Sequence, residues 1–189
     1  VKAFEVVLKG TVKETDVISI NDNEICLHLS DIGLNAQLVK YFQEGRVRGF
    51  LGYSFALVKA LNRHRKMRVA VHTRHEEVVR EAYMVLIANA SKYGTGAIIN
   101  PQSSIYDGLF EVVIVRRLSI LEVLKTFLHF RRFNPKNIEV LHARAVNIET
   151  NRKMHFQIDG EYLGKTKKVQ AKVLEGKLKL IVPPEKEAE

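Results

Sequence analysis

Two short acidic turns carry the chemistry that this sequence can offer. Ser104-Ile105-Tyr106-Asp107-Gly108-Leu109 opens directly into the apolar pattern Phe110-Glu111-Val112-Val113-Ile114-Val115, and further on comes Gln157-Ile158-Asp159-Gly160-Glu161-Tyr162-Leu163-Gly164. Each sets carboxylates on a glycine-bearing turn at the end of a strand, where a side chain can meet a ligand instead of a core. Carboxylates so placed can accept a proton or hold a hard cation. The histidines offer less: His64, His72 and His75 have the spacing of neither a zinc-binding helix nor a finger. Cys26 falls in a strand pattern and reads as a buried apolar residue.

Strands must position these turns, because period-two patterns dominate the chain. Residues 16–20 and 24–29 flank Asn21-Asp22-Asn23, a hairpin signal. Residues 169–173 and 178–182 alternate around Glu175-Gly176, which predicts a second hairpin. Further strands are expected over 67–72, 82–88, 110–115, 140–149 and 153–158, with 78–81 extended as well. Phe50, Leu51, Phe55, Leu57, Val58 and Leu61 have helical spacing and predict a helix over 48–62. A second helix is expected from the capping box Ser119-Ile120-Leu121-Glu122, with Leu121, Leu124, Phe127 and Leu128 as its stripe and Asn134-Pro135 as its stop. Many short strands against two helices predict a mainly β (α+β) fold, a β-sandwich with inserted helices. Residues 1–15 fit that pattern poorly and read as a connection from another domain. Residues 16–184 form the sandwich, and 185–189 a polar tail.

Composition sets the outer limits. The chain has 189 residues, 46% hydrophobic and 27% charged, in the range of a soluble globular domain. One cysteine permits no internal disulfide, which favours a reducing cytoplasmic compartment. No apolar run approaches the ~18–20 residues of a membrane span. The net charge of +9 gathers at Arg46, Arg48, Arg63, Arg65, Lys66 and Arg68, with smaller clusters later, so phosphate-bearing partners are expected. No nucleic acid is expected among them, since the aromatic-plus-basic strand of an RNA-binding sheet and a recognition helix are both missing.

In order, these segments resemble the C-terminal domain of the diacylglycerol kinase and sphingosine kinase family, especially its bacterial soluble lipid kinases. The resemblance rests on Ser30-Asp31-Ile32-Gly33-Leu34-Asn35-Ala36 and on the run from Val85 through Asn89 to Gly96. It continues through Ile99-Asn100-Pro101, the Asp107 turn, Asp159-Gly160-Glu161 and the closing Ile181-Val182-Pro183. It implies a substrate-side domain that works with an ATP-binding α/β domain in cis, for the family's Gly-Gly-Asp-Gly-Thr motif occurs nowhere in this sequence. The implied reaction moves the γ-phosphate of ATP to the hydroxyl of diacylglycerol or a related lipid. Glu161 matches the family's proton acceptor, with Asp159 beside it. Asp107 matches a magnesium site completed by the backbone carbonyls of Ser104 and Leu109. Arg46, Arg48 and, more weakly, Lys92 are candidates for the nucleotide phosphates. Asn35 stands where relatives often carry aspartate. The implied partners are a lipid substrate, an anionic membrane surface and, compatibly, a second copy of the chain; the implied location is cytoplasmic and peripheral to the membrane. The alternative is a non-catalytic lipid- or membrane-binding sandwich. A nicotinamide-nucleotide kinase shares the broader architecture, but the Asp-Gly-Leu and Asp-Gly-Glu segments favour the lipid branch.

Overall fold

Alternating apolar and polar residues build one large antiparallel sheet whose curvature encloses the core. The computed structural model describes residues 2–47, 49–89, 92–93, 97–98, 104–118 and 135–184. In chain order these form α1 (Lys2–Lys9), β1 (Thr11–Ile20), β2 (Glu24–Cys26), β3 (Leu29–Gly33), α2 (Leu34–Glu44), α3 (Gly49–Arg63), β4 (Met67–Thr73), β5 (Glu77–Ala82) and β6 (Met84–Ala88). Then follow β7 (Lys92–Tyr93), β8 (Ala97–Ile98), β9 (Phe110–Val115), a 3-10 turn Pro135–Asn137, β10 (Ile138–Ala143), β11 (Ala145–Ile158) and β12 (Glu161–Val182). The second expected helix, over 119–134, and the tail at 185–189 lie outside the described residues.

The sheet runs β10-β9-β6-β3-β11-β12-β1-β2, with β4 and β5 attached beside β11. β11 makes the sandwich. Its first half pairs with β4 (Val146↔Thr73 to Thr150↔Val69), and its last residues pair with β3 (Phe156↔Ile32 to Ile158↔Ser30). One strand thus serves two diverging sheets, and the space between them fills with Ile18, Ile32, Val69, Val85, Ile87, Phe110, Val112 and Ile148.

β6 and β9 are buried on both faces, which is why they read as near-continuous apolar runs, interrupted only by Glu111. Val85 and Ile87 face the sandwich interior, while Met84, Leu86 and Ala88 face Leu34 and Leu38 of α2 and Ala56, Leu57 and Ala60 of α3. Alternate strand residues point to opposite faces, so a single segment joins two cores.

Several expectations hold: the hairpin after residue 16 pairs through Ile18↔Cys26, residues 78–81 are extended within β5, and α3 runs Gly49–Arg63 where 48–62 was predicted helical; the strand expected over 24–29 is split into β2 and β3. Others are corrected. The sheet begins at Thr11, inside the stretch read as a connection, with Thr11 opposite Val182. Residues 140–149 are not one strand, because the chain breaks between Ala143 and Ala145. α2 was not expected, although Leu34, Leu38 and Tyr41 stand at helical spacing.

The second predicted hairpin does not form either. Residues 169–182 continue as β12, whose partner is β1 and not themselves: Leu174 pairs with Val17 and Leu178 with Thr15. Between those pairs a short stretch around Gly176, at φ +61°, faces the lone Asp16 and makes a bulge. Asp16 supplies the acceptor that the ladder lacks there, its Oδ1 taking the Gly176 amide at 2.9 Å. Its other oxygen takes the Gly108 amide at 2.7 Å.

Removing that carboxylate should therefore weaken two regions at once. Asp16→Ala is expected to lower unfolding free energy by about 3 kcal/mol, the range for two hydrogen bonds to a charged acceptor. Urea denaturation is the check, and a change below ~1 kcal/mol would mean that the bulge is held by something else.

Candidate active site

Strand register brings the two acidic turns to one end of the sheet. Ala88 pairs with Glu111 on one side and with Leu29 on the other. Ser30 pairs with Ile158, which in turn pairs with Glu161. The Asp107 turn, which enters β9, and the Asp159-Gly160 turn, which joins β11 to β12, thus share an end. Along the sheet, β6 and β3 lie between β9 and β11.

The hairpin that presents Glu161 is tight. Asp159 and Gly160 form a two-residue loop with φ +47° and +89°, the left-handed pair that matches strand twist. Aspartate tolerates this backbone when its side chain finds local donors, and here it finds three. The Asp159 carboxylate accepts from the amides of Leu27 at 2.7 Å, His28 at 2.9 Å and Leu29 at 2.8 Å. Leu27 and His28 form the link between β2 and β3 and Leu29 opens β3, so Asp159 clamps that link to the hairpin. The Cys26 thiol lies 3.5 Å away, and burial, reinforced by Asp159, pushes its pKa up and keeps it protonated. Glu161, two residues on, is exposed, and no hydrogen bond or ion pair engages its carboxylate among the described residues.

A second buried carboxylate supports the turn from behind. Asp31 on β3 is 1% exposed. It accepts from Asn35 Nδ2 at 2.6 Å, the Ala36 amide at 2.8 Å and Gln157 Nε2 at 2.5 Å. Gly33, which precedes α2, has no side chain to cap it; Asp31 satisfies a first-turn amide instead and lies at the positive end of the helix. Gln157 then passes the constraint on, its Oε1 accepting the Gly160 amide at 2.7 Å. From the other side Gln43 of α2 donates to the Gly160 carbonyl at 3.1 Å. Burial raises the Asp31 pKa to about 6, opposed by its three donors. His155, the nearest described histidine in sequence, bonds the Tyr162 hydroxyl at 2.8 Å; burial, aided by Lys165 and Lys40, lowers its pKa to about 4.

The Asp107 turn is wired inward and open outward. The Asp16 amide donates to the Ile105 carbonyl at 2.9 Å, and Gly108 donates to Asp16 as described. Asp107 Oδ1 accepts the Leu109 amide at 3.0 Å, and Ser104 Oγ accepts that of Tyr106 at 3.2 Å. Asp107 is exposed, and its carboxylate makes no other hydrogen bond or ion pair among the described residues. A methyl group added at Gly108 would press within 3.1 Å of the Arg144–Glu175 ion pair, so the turn packs closely there. Among the described residues no cluster of three or more His, Cys, Asp or Glu could hold a metal. Any ion here would rely on Asp107 and backbone carbonyls, a hard-oxygen set that fits magnesium.

Asn89, at the end of β6, joins the two halves. Its Nδ2 donates to the Asp16 carbonyl at 2.7 Å and the Leu27 carbonyl at 3.2 Å, and its amide donates to the His28 carbonyl at 3.0 Å. Its Oδ1 is buried and has no partner among the described residues. Asp16, Asn89 and Asp159 thus form a polar chain from one turn to the other.

Of the remaining expected residues, Arg46 is exposed in the α2–α3 connection, three positions after Gln43, and Lys92 starts β7. Arg48 and the Lys92 side chain lie outside the described residues. Sequence alone did not single out Asp16, and it gave Asp31, Asn89 and Gln157 no role beyond the family likeness. The available signal was a polar residue interrupting an apolar strand pattern, which costs free energy unless it is hydrogen-bonded.

The family model described as YegS C-terminal NAD kinase beta sandwich-like domain matches residues 30–182. The chain belongs to this family. The matched span contains α2, both acidic turns and Asp31. Diacylglycerol kinase of Bacillus subtilis is 22% identical over 169 residues, which are 86% of this chain and 55% of that protein. Among solved structures, a putative diacylglycerol kinase from Bacillus anthracis superposes with TM-score 0.69 at 23% identity, covering 97% of this chain and 61% of its own. An NAD kinase from Archaeoglobus fulgidus in complex with ATP gives TM-score 0.55 at 10% identity, over 96% of this chain and 59% of its own. At these identities the structures establish a shared fold. The chain spans about half the length of the curated relative.

The YegS-type sandwich should show the Asp31 network in its pH dependence. Between pH 4 and 6 the unfolded chain gives up the Asp31 proton while the folded chain keeps it, so this contribution to stability falls as pH rises. It levels off above about pH 6. The swing is about 3 kcal/mol. Urea unfolding of parent and Asp31→Asn between pH 3.5 and 7 measures it, and a pH-independent difference between the two would count against the burial-driven shift.

Proposed function

We propose that this chain is the substrate-side domain of an ATP-dependent lipid kinase, which transfers the γ-phosphate of ATP to a hydroxyl of diacylglycerol or a related lipid. The observation that carries this reading is the exposed Glu161 carboxylate, mounted on a hairpin fixed by Asp159, Gln157 and Gln43, at the same sheet end as the Asp107 turn. The diacylglycerol kinase relatives support the choice of lipid, and the ATP complex of the NAD kinase neighbour supports ATP as donor.

In this reading the acceptor hydroxyl attacks the γ-phosphorus, the bond to the β-phosphate oxygen breaks, ADP leaves and the hydroxyl proton passes to Glu161. Rigid mounting matters because such transfer depends on position more than on covalent chemistry. Asp159 holds the turn; with three amides on its carboxylate it acts through the geometry of Glu161. Arg46, Arg48 and Lys92 are assigned to the phosphates, along with a nucleotide-binding domain in cis that provides most of the ATP contacts. Magnesium, when bound, would offset phosphate and turn charge, and Asp107 with the carbonyls of Ser104 and Leu109 would hold an ion beside the cleft.

The test uses the natural protein that carries this chain together with its nucleotide-binding domain. Glu161→Gln should lower lipid phosphorylation by ~10²–10⁴ in kcat, with melting temperature unchanged because Glu161 engages no partner among the described residues. Turnover at the parental rate would remove Glu161 from the reaction. Phosphorylation of a nicotinamide nucleotide, with no lipid product from the parent, would replace the lipid reading.

A further inference from the structure

The outer face of the sheet carries a walled depression to which neither acidic turn contributes. Ser19, Lys172 and Ala145 form one cross-strand row over β1, β12 and β11. Gln170, Asn147 and His72 form a second row over β12, β11 and β4. Residues directly opposite share a face, as do those two apart, so both rows lie on one side. Ala171 and Val146, between them, point into the core. The Asn21-Asp22 turn rises beside the rows at one edge, and the β4–β5 turn with Arg74 at the other. Together they bound a cavity of about 420 Å³, within the ~300–1,000 Å³ of small-molecule sites.

Its walls are fixed in advance. The Asn21 amide donates to the Gln170 carbonyl at 2.8 Å, and Asn21 Oδ1 accepts the Gln170 amide at 2.9 Å. Lys172 Nζ donates to Asp22 Oδ1 at 2.6 Å. In the facing turn Thr73 Oγ1 donates to the Glu76 carbonyl at 3.1 Å and accepts the amides of His75 at 3.3 Å and Glu76 at 3.1 Å. Small side chains at Ser19 and Ala145 leave the space between open. A ligand would therefore bind without ordering either turn.

The lining is hydrophilic and carries one uncompensated cation. The Ser19 hydroxyl and the Asn147 and Gln170 carboxamides make no hydrogen bond among the described residues. Lys172 is offset by Asp22, and His72 lies 3.4 Å from Glu77. Arg74 is exposed and meets no carboxylate among the described residues. A guanidinium fork suits phosphate oxygens. Hydroxyls and carboxamides donate and accept together, which suits a polyol. A bare anion would leave most of the cavity to water, and an apolar ligand would strip these groups of partners.

From this arrangement we infer that the cavity between β1, β12, β11 and β4 binds a small soluble phosphate ester bearing hydroxyl groups, of sugar-phosphate or mononucleotide size. The inference goes beyond the lipid-kinase reading and does not depend on it, since neither Glu161 nor Asp107 lines the cavity.

The whole chain can be titrated with ribose 5-phosphate and with AMP, by calorimetry and through the side-chain amide resonances of Asn147 and Gln170. Saturable binding that shifts both resonances is expected for at least one probe; equal affinity for the two would mark the sugar phosphate as the part recognised. Ribose and adenosine, which lack the phosphate, should bind ~10-fold more weakly or worse. Arg74→Ala should cost ~10-fold in affinity. Lys179→Ala removes the same charge from an exposed position elsewhere on β12, and should change it less than ~2-fold. Ala145→Phe fills the cavity without changing charge and should abolish binding while the remaining amide spectrum is preserved. No saturable binding at millimolar probe overturns the inference. So does inorganic phosphate binding as tightly as its esters, or parental affinity in Ala145→Phe. Should that variant fail to fold, equal losses in Arg74→Ala and Lys179→Ala would overturn it instead.

Discussion

Carboxylates that replace missing ladder partners hold this end of the molecule together. Where strands end, backbone amides lose their cross-strand acceptors, and each buried donor left unpaired costs about 1–3 kcal/mol. Asp159 takes two such amides from the β2–β3 link and a third at the start of β3, and Asp16 takes those of Gly108 and Gly176. Asn89 lies between them and bonds to both loops. Loops that would otherwise move independently become parts of one polar assembly, and the exposed carboxylates of Glu161 and Asp107 inherit its rigidity.

That assembly has to stand on something stiff. β6 and β9 supply it, each buried on one face by the sandwich and on the other by α2 and α3. Between them and the Glu161 hairpin lies β3, with Asp31 buried at its centre. Asp31 ties the start of α2 to Gln157 and, through Gln157, to Gly160. Helix, sheet and turn are therefore coupled by hydrogen bonds over a few ångströms, and the α2–α3 connection that carries Arg46 is held next to the same turn. Such a layout suits chemistry in which geometry, more than a reactive side chain, does the catalytic work.

Local signals were legible wherever a segment's environment was uniform. β9 and β6 read as strands because both faces are mostly apolar, and α3 read as a helix because Leu51, Phe55 and Val58 on its exposed side and Leu57 and Leu61 on its packed side stand at helical spacing. The Asp-Gly turns were visible because aspartate before glycine favours left-handed backbone. Misreadings arose where a distant partner decided the outcome. Residues 169–182 look like a hairpin, since glycine interrupts an alternating pattern. The lone Asp16 opposite Gly176 converts that interruption into a bulge in a continuous strand. α2 escaped notice because its N-terminus is capped not by its own flanking residue but by Asp31.

Sequence by itself determined the strand content, the two acidic turns and the family likeness, because each rests on residues close together in the chain. Only tertiary structure decided that the turns share an end of the sheet. In the order β9-β6-β3-β11-β12, neighbours come from separate parts of the chain, and pairing register, not sequence distance, sets who meets whom. Tertiary structure alone also divided the carboxylates by role. Asp159 and Asp31 are surrounded by donors that exist only once remote loops arrive, whereas Glu161 stays exposed with no partner among the described residues.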